Sequence, residues 1–213
     1  MRDGPRSQSI STLNIIAALI IVCTFIEAVL LAGDLGIPPV HRLRATAIEY
    51  AGFWPGLLDD WRPNYPLQKW AMFVTYGFLH AGPVHLILNM LTLFVLGTAM
   101  EARVGPFRFS LLYVASLLGG AMGFALLNDD YRPMVGASGA LFGLAGALLA
   151  WDLADRVTLE ERLWPVARAV LMLAVLNVAL YYAMNGHLAW ETHLGGFVTG
   201  WIAALVIGQR PLA

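Results

Sequence analysis

Charge is scarce in this chain. Asp, Glu, Lys and Arg together make up 13% of its 213 residues, against about 25% in an ordinary soluble domain. That deficit excludes a conventional solvated surface. The net charge of −1 supplies no basic field to hold a phosphate backbone, so no nucleic-acid partner is expected. A single cysteine, Cys23, excludes an internal disulfide. His80 and His85 with Glu101 do not form H-E-x-x-H, and no other group has convincing metal-ligand spacing. Neither a metal nor a cofactor is expected. Internal repeats and low-complexity tracts are absent too. Without inverted repeats, and with Glu27 alone as a charge inside a span, a small transporter or channel is disfavoured.

Apolar residues are abundant: 59% of the chain is hydrophobic and the mean hydropathy is +0.68. Six apolar stretches stand out, at Leu13–Gly33, Val84–Met100, Phe109–Leu127, Gly139–Trp151, Ala169–Met184 and Leu194–Ile207. A membrane span takes about 17 to 25 such residues. The first stretch is long for a signal-peptide core and no small-x-small site follows it, so it reads as a retained helix. The fourth and sixth are short and rich in glycine, with Gly139/Gly143 and Gly196/Gly200 as G-x-x-x-G pairs. Such helices suit the centre of a bundle. The expectation is an all-α, polytopic membrane protein with six transmembrane helices and one domain over residues 1–213. Residues 1–12 form a short cytoplasmic tail. Residues 34–82 form a long outer loop whose Trp54, Trp61 and Trp70 favour the membrane interface.

Arginine placement orients the bundle. With both termini in the cytoplasm, Arg2, Arg6, Arg103, Arg108, Arg156, Arg162, Arg168 and Arg210 fall inside. Among the short outer loops only Arg132 falls outside, as the positive-inside rule requires. The even-numbered spans then all begin on the outer side. Polar residues stand at those three starts: His80, His85 and Asn89 in "HAGPVHLILN", Ser138 in "GASG", and His193 in "ETHLGG". Each alone has an ordinary explanation, either helix packing or a satisfied buried hydrogen bond. Gathered at one depth they make a site. His85 and Asn89 share a helix face. Ser138 opens a helix whose positive dipole end faces any developing negative charge. Gly136 and Gly139 leave room for a close backbone. His193 is the natural base for a serine nucleophile.

These motifs resemble the rhomboid family of intramembrane serine proteases. The likeness runs from Phe78 to Trp201 and comprises H-x4-H-x3-N, G-x-S-G, the "HLGG" histidine with Gly200, and "EARVG" from Glu101 to Gly105. It implies a serine endopeptidase that cleaves single-pass transmembrane substrates in the lipid bilayer. Ser138 would be the nucleophile and His193 the base, a dyad without aspartate. His85, Asn89 and the Ser138 N–H would line the oxyanion hole, and His80 would support them. Phe142 stands where some relatives stack a tyrosine under the histidine. Gly196 would let the sixth span pack on the fourth. Glu101 and Arg103 would hold the inner end of span two. Lys69 precedes Trp70 where the family often has Trp-Arg. The turn from Met184 to Glu191, with Gly186, would cap the site, and span five would gate it. Asp129, Asp130 and Arg132 read as a solvated outer turn, and Asp152, Asp155, Glu160 and Glu161 as a solvated inner loop. Glu27 reads as a hydrogen-bonded structural residue. The compact six-span form with short tails points to a bacterial inner membrane, with a eukaryotic organelle as the alternative. A rhomboid-like binding protein without catalysis is the alternative, but such relatives usually lose the serine or the histidine. The substrate and the oligomeric state are not readable.

Overall fold

The computed structural model describes residues 11–37, 42–101 and 103–208. Arg2, Arg6 and Arg210 lie outside the described residues. Within them the chain is helical, with eight α-helices: α1 (Thr12–Asp34), α2 (Leu43–Ala51), α3 (Gln68–Thr75), α4 (Pro83–Glu101), α5 (Pro106–Leu127), α6 (Ser138–Thr158), α7 (Trp164–Ala183) and α8 (Trp190–Ile207). A helix covers each of the six apolar stretches. Four of them, α1, α4, α5 and α7, are long and apolar enough to cross a membrane by length and composition. The ends of α6 and α8 explain why those two are less apolar. α6 finishes with Asp152, Asp155 and Arg156, and α8 opens with Glu191 and His193. Asp152 and Asp155 therefore belong to the last turns of a helix rather than to a loop. They pair with Arg156 and Arg103, each at 3.0 Å.

The core lies between α5, α6 and α8, where glycine replaces side chains at the contacts. A Cβ on Gly196 would sit 1.9 Å from the Gly139 carbonyl oxygen, and one on Gly200 would sit 2.0 Å from that of Gly143. Gly143 in turn lies against Ser116 of α5, its would-be Cβ 2.1 Å from the serine Cβ. Only glycine permits backbones this close. α7 is different. Val166 is its one buried residue, and Leu171, Val175 and Val178 are exposed, as suits a lipid-facing surface.

The long connection between α1 and α4 is a folded element. It contains α2, α3 and two single 3-10 turns. Phe53 and Met134 exchange backbone hydrogen bonds, both 2.9 Å, which ties this connection to the segment leading into α6. Phe53 is fully buried and meets Phe73, Tyr76 and Phe124 edge-on. Trp61 and Trp70 stay exposed. Glu27 has its partner here: Arg44 donates to both carboxylate oxygens at 2.7 and 2.9 Å. The same guanidinium donates to Asp34 at 2.6 Å and to the His80 carbonyl at 2.8 Å. One side chain thus joins α1, α2 and the loop before α4, and it satisfies a carboxylate that would be costly to bury alone.

Candidate active site

Ser138 is the first residue of α6, after Ala137. Its approach is fixed from both sides. The Gly136 N–H donates to the Tyr76 carbonyl at 2.9 Å, and the Tyr76 hydroxyl donates to the Leu117 carbonyl at 2.7 Å. Gly136 has φ +127°, and a Cβ there would lie 2.7 Å from Cε1 of His85. Glycine is needed at this position both for its backbone angle and for the nearness of the imidazole.

The Nε2 atom of His193 lies 2.9 Å from the Ser138 hydroxyl oxygen. The imidazole is buried. The Phe142 ring stacks on it with centroids 4.1 Å apart and planes 9° from parallel. Phe142 is one turn after Ser138 on α6, so one helix presents both the hydroxyl and the surface against which its partner rests. Close packing of Gly196 on Gly139 brings α8 near enough for this contact.

Nδ1 of His193 has a partner that was not singled out in the sequence. Asn177 of α7 places Oδ1 2.6 Å from it. The amide is oriented by its own helix, since Nδ2 donates to the Leu173 carbonyl at 3.1 Å. An amide oxygen only accepts, so Nδ1 carries the proton and Nε2 keeps the lone pair that faces Ser138. A lone asparagine in an apolar helix shows no spacing relation to a histidine on the next one. The identity of its partner is therefore invisible in the sequence.

His85 opens α4 and its Nδ1 accepts from the Ala81 N–H at 3.3 Å. That bond assigns the remaining proton to Nε2, on the side of Gly136. Asn89, one turn on and buried, donates through Nδ2 to the His85 carbonyl at 2.8 Å, and its Oδ1 is buried without a partner. The contacts thus link His85 to the Ser138 segment, and Ser138 to His193. His80 is set further back. It lies in the loop before α4, fully buried, and meets His85 edge-on with centroids 5.3 Å apart. Neither of its ring nitrogens makes a hydrogen bond of ordinary geometry. Burial, then the charges of His85 and Arg44, push its pKa down to about 4, so it is neutral. An apolar cavity of about 490 Å³ opens beside His193, between α7 and the α6–α8 pair, with Phe142, Asn177, Tyr181, Trp190 and Phe197 in its wall. Among the described residues no group of three metal-ligating side chains converges.

A family model for the rhomboid domain matches residues 67–210. The chain is 35% identical to RHOMBOID-like protein 1 of Arabidopsis thaliana, over 73% of this chain and 39% of that protein. It is 32% identical to Rhomboid protease GluP of Bacillus subtilis, over 66% of this chain and 26% of the relative. With Rhomboid-type serine protease 2 of Emericella nidulans the identity is 33%, over 74% and 30%. The chain thus spans less than half the length of the curated relatives it matches.

Proposed function

The chain belongs to the rhomboid family and is an integral membrane protein; from that premise we propose that it is an intramembrane serine endopeptidase acting on single-pass transmembrane proteins. The observation that carries the reading is the 2.9 Å contact between a serine hydroxyl at a helix start and an imidazole whose other nitrogen is already occupied. Such a pair activates an alcohol that is otherwise a poor nucleophile. In this reading residues 1–213 form one membrane domain of six spans, both termini lying in the cytoplasm. The relatives named above come from a plant, a fungus and a bacterium. They give no support to the bacterial inner membrane in particular.

The chemistry follows from the donors and acceptors. Nε2 of His193 takes the Ser138 proton as the oxygen attacks the scissile carbonyl carbon. The carbonyl oxygen becomes an oxyanion. The Ser138 N–H, Nε2–H of His85 and the second Nδ2 proton of Asn89 are the donors for it, and the α6 dipole adds to them. The imidazolium returns its proton to the leaving amine as the C–N bond breaks, leaving an acyl group on Ser138. Water, deprotonated by His193, then releases the acid and restores the serine. Phe142 holds the ring plane throughout. Gly136 keeps His85 close, His80 packs behind His85, and Gly196 and Gly200 hold α8 on α6.

The test is cleavage of a single-pass reporter in proteoliposomes. Wild type should cleave, and both Ser138→Ala and His193→Ala should lose on the order of 10³-fold or more in rate. A serine-directed phosphonate should label wild type but not Ser138→Ala. Undiminished cleavage by purified Ser138→Ala would refute the assignment.

A further inference from the structure

His193 is usually all that a Ser–His dyad asks of a base, but here its far nitrogen is engaged at 2.6 Å by a helix that otherwise packs loosely. We propose that Asn177 is a positioning residue for the base: its amide oxygen holds the Nδ1–H tautomer of His193 and so aims the Nε2 lone pair at Ser138. The proposal rests on the protease reading above.

Three observations separate this from incidental helix glue. First, the amide has only one usable orientation, because Nδ2 is committed to the Leu173 carbonyl. Reversing it would set two carbonyl oxygens against each other. Second, apart from its contact with Ser138 the imidazole stacks on Phe142. Stacking fixes the ring plane but leaves rotation within that plane and the choice of tautomer open. Hydrogen bonds at both nitrogens close those two freedoms. Third, the contact stands at the wall of an apolar cavity. Without Asn177, Nδ1–H would lose its 2.6 Å acceptor and face that cavity, and an unmet buried donor is costly. The ring would then favour the Nε2–H tautomer, which donates to Ser138 rather than accepting from it and so fails as a base. Since Asn177 belongs to α7, the aim of the base also depends on α7 being seated.

The titratable groups facing His193 are His85 from α4 and Tyr181 and Tyr182 across the cavity from α7. An amide adds no charge to this set, whereas a carboxylate would. That distinction supplies the test. In proteoliposomes, with a single-pass reporter, Asn177→Leu should lower kcat by about 10- to 100-fold. KM should stay within about threefold and the thermal midpoint should be unchanged. Asn177→Asp keeps the acceptor and adds charge. It should retain turnover and move the acid limb of the kcat/KM profile upward by about one pH unit, because a carboxylate favours the imidazolium. The imidazole ¹⁵N spectrum of His193, assigned against His193→Gln, should show Nδ1 protonated in wild type and a tautomer mixture in Asn177→Leu. Wild-type kcat with an unchanged tautomer in Asn177→Leu overturns the proposal. So does a loss confined to KM or to the thermal midpoint. If the leucine variant does not fold, an unmoved pH profile in Asn177→Asp overturns it. Failure of wild type to cleave, or cleavage by Ser138→Ala, brings down the protease reading itself. The ¹⁵N result would still report whether Asn177 sets the tautomer.

Discussion

A buried imidazole whose ring nitrogens lack hydrogen bonds of ordinary geometry is an expensive residue, and His80 is one. Held neutral with a pKa of about 4, it resists a proton that the unfolded chain would accept near pH 6.5. Between those values the unfolded state binds more protons than the folded one, so stability falls as pH falls. The contribution lost is on the order of 3 kcal/mol by pH 4. His80→Leu removes both the titration and the poorly bonded ring nitrogens. Its thermal midpoint should match or exceed wild type at pH 7.5 and exceed it by a growing margin down to pH 4.5. Parallel melting curves for the two proteins across that range would show that His80 does not carry this pH dependence. At this scale much of the candidate site was legible. Ser138, His193, His85 and Asn89 stand in motifs whose spacing relates them to one another. Asn177 does not, because its relation to His193 exists only after α7 and α8 fold against each other.

Among the helices, α8 meets α5 and α6 at points of direct backbone contact. The would-be Cβ of Gly196 lands 1.9 Å from a backbone oxygen of α6, and that of Gly195 lands 2.4 Å from the Gly119 oxygen of α5. A backbone cannot rotate out of the way as a side chain can, so one methyl group forces two helices apart. Gly196→Ala should therefore cost about 1–3 kcal/mol or more. It should also abolish phosphonate labelling of Ser138, since α8 carries His193. Leu205→Ala, on the exposed side of the same helix, should leave both labelling and melting near wild type. Equal effects of the two would mean that the glycine contact does not set the dyad. This packing was foreseeable from the G-x-x-x-G pairs, because small residues at that spacing have few other uses in an apolar helix. The folded connection before α4 was not foreseeable. Its order comes from contacts such as Phe53 with Met134 and Arg44 with Glu27, which join residues far apart in the chain and follow no period.

For the molecule as a whole, the path of α6 decides the topology. Its 21 residues reach about 31 Å, roughly one hydrocarbon core, yet its charged final turns keep it out of the set of helices that could span by composition. Those charges are arranged as they would be at a membrane surface. Arg156 pairs with Asp152 and Glu161, and Arg103, from the turn after α4, pairs with Asp155. At the other end of the helix, Asp130 pairs with Arg132 just before the Ser138 segment. The arginine distribution could be read in the sequence because charge crosses a bilayer at high cost, whichever helices pack together. Two introduced cysteines, tested one at a time, decide the path, and Cys23 is only 1% exposed, so it should stay silent. Asp130→Cys should react with an impermeant maleimide added outside intact cells. Glu161→Cys should react only after permeabilisation. Both side chains are well exposed, at 40% and 52%, so lack of access would not explain a failure. If both cysteines react from the same face, α6 does not cross the membrane and the six-span arrangement is wrong. If they react from opposite faces, a helix with a serine at one end and an arginine cluster at the other spans the bilayer. Ser138 then lies near the outer surface, where the water needed for deacylation can reach it.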